Sequence, residues 1–464
     1  MIRLFNIYFP FRTVFLALSE ALLIVGALLL AFLLRFRGDV ELALVYDQGG
    51  GLKIAIASVV LILCMYYYDL YDTTVLHRLT DVLTRLVQVL GTTSVLLAGL
   101  YYVCPQLRLG RGPFTVWIIL TGILLVAWRG LFRTINRSRR LSERVVLLGD
   151  GPMAVALCEE IESRPELGLN LLGYVDAPPI ANGHLRTLPF LGQVEQLPNL
   201  VRLQHVSRII LAIKDRRGRL PVEMLLNLKG GGVVVQDGPD MFEAITGKVC
   251  LEWLRPSRLL FSDGFRVSRF VLLYKRTASV ALSILGIILT APIMLLTALA
   301  IRLDSRGPAI FRQERIGKSG KAFTIYKFRS MRVGADEGGT PRPATANDDR
   351  VTRVGRWLRR YRLDELPQLF NILRGDMYFI GPRPFVPNME RDLSERIPFY
   401  SQRWTIKPGA TGWAQIRRGY CASLDDNAEK LGYDLFYVKN MSIGLDLLIL
   451  FETVKILILG RGGR

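Results

Sequence analysis

The chain has 464 residues, half of them apolar, and 60 Lys+Arg against 40 Asp+Glu give a formal net charge of +20. That length predicts two to four structural units, while the composition excludes a disordered chain and argues against a wholly soluble enzyme. A basic balance suits either nucleic acid or an anionic membrane, and the long uncharged apolar runs favour a lipid bilayer, with no nucleic acid as partner.

Four apolar segments occupy the first third: 14–34, 52–68, 82–103 with Arg85 inside it, and 114–132. Each is close to the roughly 20 residues needed to cross about 30 Å of hydrocarbon as a helix. The first has no small-residue cleavage site behind it and is retained as a helix. Arg3 and Arg12 precede it, His77 and Arg78 lie between the second and third, and Arg129, Arg133, Arg137, Arg139 and Arg140 follow the fourth. This bias predicts both ends on the cytoplasmic side and everything after Arg140 in the cytoplasm. Cys64, Cys104, Cys158, Cys250 and Cys421 lie far apart, which indicates reduced structural thiols rather than a zinc site or disulfide framework.

From Glu143 short β-branched runs alternate with helical stretches (RVVLLGDG, PMAVALCEEIES, LLGYVDAP, SRIILAI, GGVVVQD). The pattern predicts a Rossmann-like α/β domain over 143–262 with a parallel sheet. Gly149 and Gly151 fit G-x-G-x-x-A at its first turn, with Asp176 ending the second strand, so they are weak nucleotide-binding candidates. Any tight strand-to-helix turn also favours glycine, and Asp150 sets a negative charge against a pyrophosphate. His184 and His205 are read as surface or loop residues.

A second apolar element covers 278–301, about 36 Å of straight helix, interrupted by Pro292, which removes a backbone hydrogen bond. It is read either as a spanning helix or as a helix broken at Pro292 that enters the bilayer and returns. Lys275 and Arg276 on one side and Arg302 and Arg306 on the other favour re-entry.

No histidine occurs after Arg302, which leaves carboxylate, hydroxyl, lysine and metal chemistry for that region. Val354, Trp357, Leu358 and Tyr361 predict one apolar helical face amid Arg353, Arg356, Arg359 and Arg360. The pattern breaks at Asp364, which suits an N-cap of a second helix buried through Leu366, Leu369, Phe370 and Leu373. Helix N-termini and guanidinium groups stabilise anions. Asp364 and Glu365 are therefore either plain first-turn acids or a pair in which one attacks phosphorus and the other holds Mg²⁺. The stretch 333–350 is either a mobile lid or an insertion, and 443–459 suits a core or interfacial helix.

The segments KFRSM (327–331), RLDELPQLFNILRGDM (362–377), GPRP (381–384), KPGATGWAQ (407–415) and YDLFYVKNMS (433–442) resemble the bacterial polyprenyl-phosphate hexose-1-phosphate transferases, the initiating sugar transferases of exopolysaccharide, capsule and O-antigen assembly. The upstream layout is similar to the large members, including undecaprenyl-phosphate glucose and galactose phosphotransferases of the exopolysaccharide and exosortase-associated group. The resemblance implies Asp364 as nucleophile of a covalent phosphosugar intermediate, Glu365 as Mg²⁺ ligand, and Lys327, Arg359 and Arg383 as basic residues binding substrate phosphate. It also implies that the Rossmann-like domain is dispensable for the chemistry. Ala291, Ser279 and Tyr378 depart from the family, which usually has serine, often aspartate, and serine there.

The expected architecture is thus a multi-domain membrane protein: a four-helix transmembrane domain (1–140), a Rossmann-like domain (141–262), a linker with re-entrant membrane helix (263–306) and a mainly α cytoplasmic catalytic domain (307–464). The expected function is transfer of hexose-1-phosphate from UDP-glucose or UDP-galactose to undecaprenyl phosphate with release of UMP, at the bacterial inner membrane; a homodimer is compatible with such a bundle. Two rivals stand beside it, a glycosyltransferase that releases UDP and a membrane-anchored nucleotide-sensing or assembly protein.

Overall fold

The computed structural model describes residues 2–4, 7–35, 50–71, 79–137, 142–176, 188–213, 220–261, 263–265, 268–335, 348–419 and 423–459. His77, Arg78, Arg139, Arg140, His184, Cys421 and most of the 333–350 stretch lie outside the described residues. The chain forms two compact units, Tyr8–Met241 with residues 1–2, and Phe242–Arg464 with residues 3–7.

After two three-residue strands, β1 (Ile2–Leu4) and β2 (Ile7–Phe9), the first unit runs through α1 (Phe11–Arg35), α2 (Gly50–Tyr67), α3 (Leu79–Val103) and α4 (Arg111–Arg137). Ile24, Leu28, Leu61, Met65, Leu97 and Trp117 fill the bundle interior. Leu22, Val87 and Val95 are more than 70% exposed, the arrangement of helices whose outer surface meets lipid. Glu20 and Arg129 are paired at 2.6 Å inside the bundle, an intramembrane charge met by its opposite. With α10 below, five helices among the described residues are long and apolar enough to cross a bilayer, and the chain is a multi-pass membrane protein.

Strands β3 (Glu143–Leu148), β4 (Leu169–Asp176), β5 (Phe190–Gln193), β6 (Arg208–Leu211) and β7 (Val234–Asp237) form one parallel sheet in the order β5-β4-β3-β6-β7. The order reverses between β3 and β6, the Rossmann-like arrangement. Helices α5 (Pro152–Glu162), α6 (Leu197–Gln204) and α7 (Val222–Gly230) accompany these strands, and α8 (Gly238–Thr246) and α9 (Pro256–Phe261) lead onward. Strand β5 is absent from the sequence expectation: it is four residues long, contains Gly192 and sits at the sheet edge, so it carries little β-branched signal.

In the second unit, α10 (Arg269–Asp304) leads into the antiparallel hairpin β8 (Ile310–Ile316) and β9 (Ala322–Phe328). Then come α11 (Arg353–Arg360), α12 (Gln368–Arg374), β10 (Tyr378–Ile380), α13 (Pro387–Arg396), β11 (Gly409–Thr411) parallel to β10, α14 (Trp413–Arg417), α15 (Leu424–Asn440) and α16 (Ile443–Ile458). The domain is mainly α, as expected. One face of α10 packs along it throughout. Lys275 pairs with Asp446 of α16 at 2.9 Å, Ser279 accepts from the Phe379 amide at 3.1 Å, Ile287 meets Leu369 and Ile372, and Ile301 joins Phe328 and Leu358.

Three expectations are corrected. Pro292 does not break the helix, which is continuous from Arg269 to Asp304; one missing amide removes one bond, and the turns on either side continue. Asp364 is not the cap of the second helix: it lies in a 3₁₀ turn, Leu363–Glu365, and α12 starts at Gln368, after Pro367. Its buried face is Gln368, Leu369, Asn371 and Ile372, turned towards the β8–β9 hairpin, which leaves Phe370 and Leu373 exposed. On α11 only Leu358 of the expected apolar face is fully buried, while Trp357 and Tyr361, ring to ring at 5.1 Å, are exposed.

Asn371 joins α12 to the hairpin, accepting from the Tyr326 amide at 2.9 Å and donating to Thr324 O at 2.7 Å and Asp376 Oδ2 at 3.2 Å. Asn371→Ala orphans the Tyr326 amide and the Thr324 carbonyl and is expected to cost about 2–3 kcal/mol. Denaturant unfolding in detergent measures it; unchanged stability would contradict this role.

Candidate active site

The site is assembled from three backbone features. Strand β9 carries Lys327 near its end, the 3₁₀ turn Leu363–Glu365 carries the two acids, and the loop after β10 carries Arg383. The turn is entered through Arg362 in the left-handed region (φ 53), a conformation unusual for a bulky residue, which reverses the chain between α11 and the acids. Leu363 and Leu366, on either side of the pair, are packed into the cluster formed by Ile301, Phe328 and Leu358. The apolar neighbours thus fix the turn and leave the carboxylates on its other side.

Glu365 is the hub. Its Oε1 accepts from Lys327 Nζ at 2.9 Å and from Arg383 Nη2 at 2.8 Å, and Arg362 Nη1 stands 4.0 Å from Oε2. Burial opposes ionisation of Glu365, but the Arg383 and Lys327 charges and their hydrogen bonds outweigh it and hold the carboxyl well below the usual range. Asp364 goes the other way: burial, then the adjacent Glu365 charge, push its carboxyl up against the pull of Lys327, Arg359 and Arg383. Among the described residues no hydrogen bond or ion pair reaches the Asp364 carboxylate. Two neighbouring acids are therefore differentiated, one locked to two cations and one left open to an incoming group.

Arg383 is held through its backbone. Gly381-Pro382-Arg383-Pro384 has two residues without an N–H, and its carbonyls are taken up from outside. The Gly409 amide donates to Pro382 O at 3.0 Å, Arg403 Nη2 to Arg383 O at 3.0 Å, and Arg315 Nη1 to Pro384 O at 3.1 Å. Gly409 is required for this: a Cβ there would strike the Gly381 amide. Arg403 is itself fully buried, paired with Asp434 Oδ2 at 2.7 Å and donating to Tyr400 Oη at 2.6 Å. Glu365 strengthens the cationic form of Arg383.

Lys327, Asp364, Glu365 and Arg383 thus come together as the sequence suggests. Arg359 bonds Ser330 Oγ at 2.9 Å and acts on Asp364 through its charge. Arg315, on β8, was missed: its only sequence signal is one arginine among several in a strand. The same holds for Arg403 and Asp434, whose pairing across 31 positions has no local signature.

The expected Mg²⁺ would draw on the same two acids. Among the described residues no group of three or more His, Cys, Asp or Glu gathers. A pair of adjacent carboxylates, one with an oxygen not taken by lysine, suits an ion that completes its shell with water and substrate phosphate. Asp364 and Glu365 meet that requirement.

The other candidate positions lie in the first unit. Gly149 has φ +114, and a Cβ there would come within 3.0 Å of Ile213 and 3.1 Å of the Ala212 carbonyl carbon, so the close pass of the chain after β6 accounts for it. Gly151 caps α5 in extended backbone ahead of Pro152. The Asp176 side chain lies outside the described residues, and His205 is the left-handed C-cap of α6 (φ 49).

Residues 270–460 match the family model described as bacterial sugar transferase, and residues 67–225 one described as CoA-binding domain. The UDP-N-acetylgalactosamine-undecaprenyl-phosphate N-acetylgalactosaminephosphotransferase of Aeromonas hydrophila is 41% identical over 48% of this chain and 52% of its own length. The undecaprenyl-phosphate glucose phosphotransferase of Komagataeibacter xylinus is 34% identical over 70% of this chain and 61% of its own. The UDP-glucose:undecaprenyl-phosphate glucose-1-phosphate transferase of Xanthomonas campestris pv. campestris is 31% identical over 87% of both chains. The chain thus spans between half and two thirds of the first two relatives and most of the third.

Arg403→Met strands the Asp434 carboxylate in the interior, and loss of one partner of such a pair is expected to cost about 3–5 kcal/mol. Thermal and denaturant unfolding read this directly. A variant as stable as the parent would show that the pair does not support the Arg383 loop.

Proposed function

Because the chain belongs to the bacterial sugar transferases, we propose that it transfers a hexose-1-phosphate from a UDP-hexose to undecaprenyl phosphate and releases UMP, as the first membrane step of exopolysaccharide, capsule or O-antigen assembly. One observation carries this reading: the Asp364 carboxylate lies unbonded beside a Glu365 already neutralised by Lys327 and Arg383. A nucleophile needs an accessible lone pair amid charges that accept a phosphoryl group, and this arrangement supplies both.

Asp364 Oδ attacks the sugar-bearing phosphorus, and the bond to the bridging oxygen breaks. UMP leaves with that electron pair, and hexose-1-phosphate stays on Asp364 as an acyl phosphate. An oxygen of undecaprenyl phosphate then attacks the same phosphorus, and Asp364 departs as carboxylate. Arg383 and Lys327 lie where charge on the transferred group is offset, and Arg359 adds its field from α11. Mg²⁺, when bound, neutralises the diphosphate; Glu365, with Asp364 beside it, would hold it.

The acceptor requires the site to lie at headgroup level. On α10 the face opposite the catalytic domain is apolar and open, with Ile288, Leu289, Leu295, Leu296 and Leu299 exposed. The packed face touches the polar domain from Lys275 to Ile301. A helix crossing fully would draw that domain through hydrocarbon, at large cost. The continuous helix therefore lies along the cytoplasmic leaflet of the inner membrane, keeping both basic ends and the catalytic domain on the cytoplasmic side.

Asp364→Asn is expected to abolish UMP release from UDP-glucose, UDP-galactose or UDP-N-acetylgalactosamine while leaving the melting temperature near that of the parent. Retained activity, or UDP as product in the parent, would refute the reading. In the metal-free protein burial and the Glu365 charge raise the Asp364 carboxyl, so infrared titration without Mg²⁺ is expected to show a carboxyl that is lost in Asp364→Asn and protonates above the ordinary aspartate pKa of about 3.9. Protonation at or below that value would contradict it.

A further inference from the structure

Arg315 occupies a position that neither the motifs nor the proposed steps use. In the β8–β9 hairpin, Phe311 faces Lys327, Gln313 faces Ile325 and Arg315 faces Phe323. Alternation along both strands places Arg315 and Lys327 on the same face of the hairpin. Its Nη1 donates to Pro384 O at 3.1 Å, beside Arg383, and its Nη2 to Gln313 Oε1 at 2.6 Å. Its Nε is buried and has no hydrogen-bond partner.

The charge balance is uneven. Glu365 pairs with both Lys327 and Arg383, whereas among the described residues no carboxylate pairs with Arg315. Burial, then the like charge of Arg383, pull its guanidinium down to about 10, still cationic at neutral pH, with Glu365 the opposing influence. A buried cation held only by neutral acceptors is costly unless an anion completes it. The surrounding site is built to receive one.

We propose that Arg315 is a phosphate-binding residue of the active site, whose guanidinium takes a non-bridging phosphate oxygen of a phosphorylated substrate. The inference rests on the transferase reading for the identity of that substrate, and its geometry allows the donor diphosphate or the lipid phosphate. The partnerless Nε–H is the donor aimed at that oxygen while Nη1 and Nη2 keep their protein acceptors, an arrangement that lysine does not reproduce. A purely structural role, bracing the Pro384 carbonyl, needs one neutral donor, which glutamine supplies.

The test uses the full chain in detergent. UMP and inorganic phosphate binding are measured by calorimetry, and KM and kcat for UDP-glucose and for undecaprenyl phosphate are measured separately, in the parent, Arg315→Gln and Arg315→Lys. Binding or KM is expected to weaken about tenfold or more in Arg315→Gln, with Arg315→Lys intermediate and its melting temperature unchanged. Weaker UMP binding with raised KM for UDP-glucose assigns the donor; raised KM for the lipid alone assigns the acceptor; either supports the proposal. Should the glutamine variant not fold, the charge-retaining lysine variant decides, again by weakened binding. Unchanged affinities and KM values, with lowered melting temperature alone, overturn it. Failure of the parent to release UMP would instead refute the transferase reading, while the phosphate-binding arm still judges Arg315.

Discussion

One carboxylate oxygen, Glu365 Oε1, holds together three otherwise separate pieces of chain. Lys327 reaches it from strand β9 and Arg383 from the loop after β10, while the acid itself stands on a 3₁₀ turn. Taking two cations onto one oxygen suppresses the charge that Glu365 presents to its neighbour. Without that, two ionised acids side by side would repel, and Asp364 would be pushed still further towards its neutral form. The difference between the two acids, one locked and one open, follows from this single junction.

The junction depends in turn on supports farther out. Asn371 sets α12 against β9, and the buried Arg403–Asp434 pair grips the Arg383 carbonyl. Lys275 and Arg276, which read in the sequence as flanking charges of a membrane segment, have internal partners. Lys275 is buried against Asp446, and Arg276 donates to the Ile372 and Leu373 carbonyls at the end of α12. The apolar helix is thereby tied to the catalytic domain at both ends and in the middle. Its exposed apolar side and the site are parts of one rigid arrangement, which is what the proposed reaction on a membrane-bound phosphate requires.

Much of this is legible in the sequence because it is written locally. The long apolar runs mark the helices, β-branched runs mark four of the five parallel strands, and the Asp364-Glu365 pair stands inside a dense motif. What fails is what depends on distant contacts. The helix start moves from Asp364 to Gln368 because Pro367 and the left-handed Arg362 favour a tight turn first. Pro292 looks like a break but is absorbed within a helix packed on one face. Gly149 resembles a cofactor-binding glycine, yet crowding by Ala212 and Ile213 explains it. Arg315 and Arg403 lie outside every motif, and Asp434 lies in one that gives it no role, since their importance comes from what folding brings beside them.

The central claim is that Asp364 carries the transferred group. The most direct measurement is mass spectrometry of the full chain mixed with UDP-hexose and Mg²⁺ in the absence of lipid, followed by peptide mapping of the quenched protein. The account expects one hexose phosphate per chain on the peptide containing Asp364, lost on addition of undecaprenyl phosphate. UMP release without any adduct, or an adduct on another residue, would contradict it.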